Sequence, residues 1–313
     1  MAGPSASPSS ASSRPLSDGQ ARTIAVDLGG THVRAALVDA NGGVLHRIRR
    51  STPIDDSSPA FLIEMMHEVR GDEECGRAVI GLPGVVDHEN EVLVKAPNLP
   101  QRWIPMLTDA WLTERSDLSI SLANDADLAA VGEATFGAGR GFRDVVYVTI
   151  STGIGAGIVL GDHLMRGRYS GGEIGHTILS RTALAAGEPA TVEDLGSGTS
   201  ITRRAEASGL EFSGAELADK VREGHEGATE IWTKAIESAA AGIVNLCWIV
   251  TPQAVVIGGG VGMNGDLVLP TVSAAIEAHG PGVTNVAVLN AGLGDDAALA
   301  GAAAWWNAIG RTG

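Results

Sequence analysis

Residues 23–39 place an acid, a hydroxyl group and two glycines at the turn between two apolar segments. Asp27 closes the first segment, and Gly29, Gly30 and Thr31 precede the second. Glycine lets a ligand approach the backbone closely, and successive N–H groups in such a turn can bind an anion. An acid beside a phosphate turn needs a cation between them, so the stretch indicates a magnesium–nucleotide site. The alternative is a tight hairpin whose Asp and Thr side chains bond their own backbone.

A second stretch with this outline lies at residues 144–160, where Ser151, Thr152 and Gly153 separate two apolar segments. Two copies of one hairpin, a domain apart, indicate a duplicated fold. Two such turns facing each other could hold a polyphosphate from both sides, which a lone turn could not. Further on, glycines 258–260 follow a buried strand and precede a helix, an arrangement that accepts an anionic or planar ligand.

Five polar residues between these glycine turns are candidates for contact with a substrate. Asn124 and Asp125 follow a predicted strand, Glu173 and His176 share a Gly-rich loop, and Glu193 opens a helical region. Each also has a structural explanation. Asn124 and Asp125 could cap a helix, Glu173 could be a solvated acid, His176 could bond backbone, and Glu193 could favour a helix dipole.

The predicted elements that carry these residues alternate between strands and helices. The chain opens with three strands, a helix over 59–69 and a buried strand over 78–82, which gives an antiparallel hairpin at the start of a mixed sheet. Residues 85–105 are predicted to be loop-rich. Later segments predict helices and strands in turn, so the fold class is α/β. The predicted elements of the rest of the chain are helix 106–115, strand 119–123, helix 126–136, helix 216–222, helix 229–249, strand 254–257, helix 267–279, strand 286–289 and helix 295–309.

Composition restricts the class of protein. The 313 residues are 44% hydrophobic but only 4% aromatic and include 42 glycines, which favours an aliphatic α/β core. The net charge of −15 with no basic run argues against a nucleic-acid partner. Two cysteines indicate no disulfide framework, so a reducing cytoplasm is the simplest compartment. Residues 1–21 are predicted to be a disordered tail without a secretory signal, and the apolar run 239–250 is too short to span a membrane.

The pieces in this order resemble the ROK family of sugar kinases, within the actin-like ATPase superfamily. The resemblance extends over residues 22–309, through VDLGGTHVRAALVD, GLPGVVD, LANDADLAAVGEATFGAG, VTISTGIGAGIVL, GGEIGH, VEDLGSGTSI, VVIGGG and DDAALAGAA. It implies two RNase-H-like domains with mixed sheets flanked by helices and a cleft between them. The implied domains are 22–125, with helix 295–310 packing back on it, and 126–294.

The resemblance also implies a reaction, the transfer of the γ-phosphoryl group of ATP to a sugar hydroxyl. Asp125 would be the base that accepts the hydroxyl proton, and Asp27 would help to hold Mg²⁺ through water. The matching positions are Asp27, Gly29, Gly30, Thr31, Thr152 and Gly153 for phosphate, Gly258, Gly259 and Gly260 for the nucleoside, and Gly84, Asn98, Asn124, Asp125, Glu173, His176 and Glu193 for the sugar.

The chain departs from the family in one segment. Many members carry a Cys-rich zinc site between the His and the second Glu, but residues 177–192 contain no cysteine, so we predict no zinc. Some members are repressors with an added DNA-binding domain, for which about twenty residues before the first strand are too few.

Three functions stay open on the sequence. The first is a glucokinase-like ATP:hexose phosphotransferase acting at the 6-hydroxyl. The second is an N-acylhexosamine kinase for N-acetylmannosamine or N-acetylglucosamine. The third, more remote, is a sugar-sensing regulator without turnover. We expect sugar and ATP as the small-molecule partners, no nucleic acid or membrane, and a possible homodimer.

Overall fold

The computed structural model describes residues 22–210, 212, 214–282 and 285–310, so the predicted tail lies outside the described residues. The first part of the chain contains β1 (Thr23–Leu28), β2 (His32–Val38), β3 (Val44–Ser51), α1 (Phe61–Arg70), β4 (Arg77–Leu82), β5 (Val85–Asp87), β6 (Val92–Lys95), α2 (Asp109–Ser116), β7 (Ser119–Asn124) and α3 (Asp125–Thr135). The second part contains β8 (Val145–Ile150), β9 (Ile154–Leu160), β10 (His163–Leu164), α4 (Arg181–Ala186), α5 (Val192–Gly196), α6 (Gly198–Ala207), α7 (Gly214–Arg222), α8 (Glu226–Val250), β11 (Ala254–Gly258), α9 (Gly259–Gly262), α10 (Gly265–His279), β12 (Ala287–Asn290) and α11 (Ala297–Ala308).

Two five-stranded mixed sheets follow the same plan. The strand order is β3-β2-β1-β4-β7 in the first sheet and β10-β9-β8-β11-β12 in the second. In each, the hairpin at the glycine turn is antiparallel, and its first strand pairs in parallel with a later strand, β4 or β11. The duplication predicted from the two hairpins is therefore confirmed, as is the α/β class.

Helices α3 and α11 pack together between the two sheets. Backbone contact requires glycine here, because a Cβ atom on Gly132 would lie 2.1 Å from the Ala297 carbonyl oxygen. A Cβ atom on Gly301 would likewise lie 1.9 Å from the Leu128 carbonyl oxygen. Helix α11 also contacts β1, β2 and β4 of the first sheet, whereas α3 contacts β8 and β9 of the second. The exact domain boundaries stay a prediction.

Residues 85–105 differ from the prediction. Strands β5 and β6 form a two-stranded antiparallel sheet there, and residues 101–106 form a 3-10 helix. Helix α2 consequently begins at Asp109, where the side chain of Thr108 accepts a hydrogen bond from the backbone N–H of Trp111. The three-residue strand β5 depends on its partner strand, so no local pattern indicated it.

Helix α8, with 25 residues, is long and apolar enough to cross a membrane by length and composition alone. Half of its most apolar window is buried inside the structure. Trp232, Ile236 and Ile243 are among its residues in the core beneath the second sheet. The core helix of a globular protein meets the same criterion, so this helix is weak evidence for a membrane segment.

Candidate active site

Asp27 is held by an arginine on the neighbouring strand. It lies opposite Arg34 in the β1–β2 register. The Nε atom of Arg34 donates to Asp27 Oδ2 at 3.0 Å, and a second guanidinium N–H donates to the same oxygen. Arg34 also donates to the Asp295 carbonyl oxygen at 2.6 Å, which ties the hairpin to the segment before α11. Sequence analysis missed Arg34, although the hairpin register alone would have placed it across from the acid.

Asp125 begins helix α3, directly after β7, and is partly buried. Its Oδ1 atom accepts a hydrogen bond from the Ala126 N–H at 2.8 Å. Burial, followed by the negative charge of Asp27, raises the pKa of Asp125 to about 7, and Glu173 adds to the rise. A carboxylate with this pKa is half-protonated near neutral pH and can both accept and release a proton there.

Asp27 and Asp125 line one cavity of about 370 Å³. Gly260 belongs to this cavity and to a second one of about 550 Å³ that contains the turn residue Thr152, so the two spaces adjoin. Sequence analysis missed most of the lining side chains. They include Arg34, Tyr147, Thr149 and Met263 in the first cavity and Thr199, Thr202, Arg203 and Asn264 in the second. Together the cavities are large enough for a small ligand with a polyphosphate chain.

The glycines after β11 shape the boundary between these cavities. Gly259 has φ +81°, and a Cβ atom there would lie 2.5 Å from the Ile150 carbonyl oxygen. A Cβ atom on Gly258 would lie 2.5 Å from the Tyr147 hydroxyl oxygen, whereas Gly260 faces open space. Bare backbone therefore faces the cavities here, as the glycine pattern indicated.

The second phosphate turn is joined to a candidate sugar residue. Glu193 Oε2 accepts a hydrogen bond from the Ile154 N–H at 2.8 Å. A Cβ atom on Gly153 would lie 2.4 Å from the same oxygen. Glu193 also lies in the first turn of α5, the position of its structural explanation.

The first turn lies apart from the two cavities. Gly30 packs on Asn98, since a Cβ atom there would lie 2.8 Å from the Asn98 carbonyl oxygen. The Thr52 hydroxyl donates to the Gly29 carbonyl oxygen at 2.7 Å, and the Thr52 N–H donates to that of Thr31 at 2.9 Å. The structure thus brings Asp27 into the cavity but leaves Gly29, Gly30 and Thr31 outside its described lining.

Asn124 caps α3, which is the structural explanation that the sequence left open. Its Oδ1 atom accepts from the N–H groups of Ala126 at 2.8 Å and Asp127 at 3.3 Å. Its amide donates to the Gly84 carbonyl oxygen at 3.0 Å. Gly84 has φ +133° and lies against Lys95 of β6, so the residues predicted near the sugar fix one another.

Glu173 and His176 are exposed on one short turn, with Glu173 Oε2 3.8 Å from His176 Nε2. Partial burial raises the pKa of Glu173, and the neighbouring His176 opposes that rise. Glu173 also acts on the pKa of Asp125, which places these two carboxylates close enough to interact. The predicted sugar residues therefore converge on the N-terminal end of α3 from two loops.

The carboxylate oxygens of Asp27 and Asp125 on one polar cavity suit Mg²⁺, which prefers one or two carboxylates and several waters. Among the described residues, no group of three or more His, Cys, Asp or Glu side chains could hold a metal ion by itself. The absence of zinc stays a prediction.

Comparisons with known proteins agree with this geometry. The ROK family model matches residues 23–309. The glucokinase of Thermotoga maritima is 30% identical over 305 residues, covering 90% of this chain and 96% of that protein. An N-acetylmannosamine kinase of Escherichia coli is 29% identical, covering 90% and 97%. A ROK family glucokinase from Streptomyces griseus, solved with glucose and AMPPNP, superposes with a TM-score of 0.76 at 30% identity, covering 91% of this chain and 98% of that one.

Paired sheets with a polyphosphate-sized cleft and a carboxylate at its centre define a sugar kinase of the actin-like ATPase fold, and the solved relatives share that fold. The chain belongs to the ROK family. The family, the fold class and the glucokinase-like kinase activity expected from the sequence are thus confirmed, and ATP is the phosphoryl donor.

Proposed function

We propose that the chain transfers the γ-phosphoryl group of ATP to the 6-hydroxyl of glucose, with Asp125 as the general base. The observation that carries this proposal is the cavity where Asp125 meets Asp27 with a pKa of about 7. A sugar hydroxyl is a poor nucleophile unless its proton is accepted during attack. At neutral pH about half of the Asp125 population is ionised and can take that proton.

In the proposed reaction, the sugar oxygen attacks the γ-phosphorus while its proton moves to an oxygen of Asp125. The bond between the γ-phosphorus and the bridging oxygen breaks, and ADP leaves. Asp27 would hold Mg²⁺ through water, and the metal supplies charge neutralisation of the phosphate oxygens when bound. Thr152, Gly153 and Gly260 would cradle the phosphates with backbone N–H groups at the second cavity.

Glu173, His176 and Glu193 would bind the sugar hydroxyls. Two of them, Glu173 and His176, are exposed beside each other and free to accept hydroxyl protons, which supports this role. Glu193 already accepts a backbone hydrogen bond through Oε2, so its other oxygen would face the sugar. We propose a role for Asn124, Gly84 and Asn98 in shaping the floor of the sugar site, since Asn124 and Gly84 bond each other.

The second candidate is an N-acylhexosamine kinase, and the similarity to an N-acetylmannosamine kinase supports it. A coupled ADP-release assay separates the candidates. The sugars are glucose, mannose, fructose, N-acetylglucosamine and N-acetylmannosamine, with the Asp125→Asn variant as the control. We expect the highest kcat/KM with glucose. A higher value with an N-acylated sugar would favour the second candidate, and sugar binding without any turnover would favour a sugar-sensing protein.

A further inference from the structure

Two buried titratable side chains that the proposed mechanism does not use lie beside each other near Asp125. His88 is 6% exposed and Asp127 is wholly buried. His88 Nε2 lies 3.9 Å from Asp127 Oδ2. Neither Asp127 oxygen nor His88 Nδ1 makes a hydrogen bond of ordinary geometry within the described residues. Buried polar groups are nearly always bonded, so this pair needs an explanation.

The pair lies where three segments of the active site meet. Asp127 is in the first turn of α3, two residues after Asp125. His88 follows β5 of the small two-stranded sheet. The Ser170 hydroxyl, 3.5 Å from His88 Nε2, belongs to the loop that leads to Glu173. The two proposed substrate carboxylates are therefore carried by segments that both reach this pair.

An ion pair holds the same crossing beside it. Arg168 donates to Asp87 Oδ2 from Nε at 3.0 Å and from a terminal nitrogen at 2.9 Å. The His88 N–H donates to the Arg168 carbonyl oxygen at 2.9 Å. The backbone of the loop before Glu173 is thus already fixed to β5, and the side chains of His88 and Asp127 fill the space between that loop and α3.

His88 is neutral at physiological pH. Burial, together with the positive charge of Arg166, lowers its pKa to about 4, and Asp87 opposes this only in part. A neutral imidazole has one ring nitrogen that accepts a hydrogen bond.

Asp127 is the side chain that can supply the proton. Burial raises its pKa to about 7, with Asp125 and Glu173 adding to the rise, while Ser170 and Arg166 lower it. A protonated carboxyl group can donate to the neutral imidazole once the two atoms approach by about 1 Å, to the ~2.8 Å of such a bond. The pair then carries no net charge in the interior, which avoids the cost of burying an ion.

We propose that His88 and Asp127 form a positioning pair that fixes the first turn of α3, and with it Asp125, against the loop that carries Glu173. This inference rests on the proposed kinase function. A displacement of a reacting group by about 1 Å can lower a rate by about a hundredfold. Because the Coulomb interaction between Asp125 and Asp127 is mutual, the pair also acts on the pKa of the proposed base.

The test compares Asp127→Asn, Asp127→Leu, His88→Leu and the double Leu variant with the wild type. Asp109→Asn, in the first turn of α2, is the matched control for the loss of a first-turn acid. The measurements are kcat and KM for sugar across pH 5.5–9, a range of roughly two units about the pKa, and ADP affinity by calorimetry. Thermal melting reports whether each variant is folded.

We expect each Leu variant to lower kcat by about 10- to 100-fold with ADP affinity within about threefold. The double variant should be no worse than the single ones, because both remove the same interaction. Asp127→Asn keeps a donor for His88 and should retain kcat within about threefold, while the acid limb of its pH profile moves to lower pH because a neighbouring anion is lost.

Some results would overturn the proposal. Multiplying effects in the double variant, or Leu variants that melt early but keep wild-type kcat, would show a purely structural role. An unshifted pH profile in Asp127→Asn, which is the variant most certain to fold, would do the same. Absence of wild-type turnover on any sugar would instead refute the kinase function, and the positioning role with it.

Discussion

The substitution Asp125→Asn separates the chemical role of this carboxylate from its cost to the folded state. The amide keeps the size of the side chain but cannot accept the hydroxyl proton. General-base catalysis contributes about 10²- to 10⁴-fold, so we expect kcat to fall by that factor while sugar and ADP affinities change little. The assay is coupled ADP release with the best sugar of the panel.

The pKa of about 7 gives this prediction its pH dependence. The base must be ionised, so wild-type kcat should fall about tenfold per unit below pH 6 and level off above pH 8. The residual activity of Asp125→Asn should lack this acid limb. A variant that retains wild-type kcat, or one with the same acid limb, would refute Asp125 as the base.

Stability should change in the opposite direction. The unfolded chain releases the Asp125 proton near 3.8, whereas the folded protein holds it until about pH 7. The folded state therefore binds more protons in this window, and the free energy of unfolding decreases as pH rises through it. At pH 8 without ligands, we expect Asp125→Asn to be more stable than the wild type by on the order of 2 kcal/mol, measured by urea unfolding. Equal or lower stability at pH 8, with a gain at pH 4, would contradict the raised pKa.

Three further predictions concern the phosphate side of the cleft and the missing cysteines. Arg34→Met should lower kcat by about a hundredfold, since it removes the cation that lines the cavity with Asp27; Arg47→Met, which breaks only a surface ion pair, should leave kcat within about twofold, and equal losses in both would disprove a local role. Gly153→Ala forces a methyl group onto the Glu193 carboxylate and should weaken ATP binding by about tenfold or more, whereas Gly76→Ala, which meets open space, should bind ATP normally. Protein purified without chelators should contain less than about 0.1 zinc per chain by elemental analysis, because residues 177–192 supply no thiolate; one zinc per chain would overturn this prediction.

Local signals predicted most of the elements and their order. The glycine turn at 29–31 and its echo at 151–153 indicated two hairpins, and both formed with the expected strands. Alternating apolar residues and glycine turns act over a few residues, so a sequence displays them directly. Residues 85–105 were predicted wrongly as loop, because β5 is stabilised by pairing with β6 rather than by its own pattern.

The candidate site divides in the same way. The motifs located Asp27, Asp125, Glu173 and Glu193, since each follows a glycine turn or begins a helix. They did not locate Arg34, and they left open whether Asn124 caps α3, which it does. Capping is decided by side-chain geometry at the helix end, and the same residue type suits both roles.

The sequence by itself determined the family, the α/β class and the order of the phosphate and sugar motifs, because these are properties of neighbouring residues. Only the tertiary structure decided which carboxylate is poised to accept a proton. The pKa of Asp125 depends on burial and on the charges of Asp27 and Glu173, which lie far away in the chain. The pairing of His88 with Asp127 likewise needed the folded chain, because segments separated along the sequence meet there only after both sheets have formed.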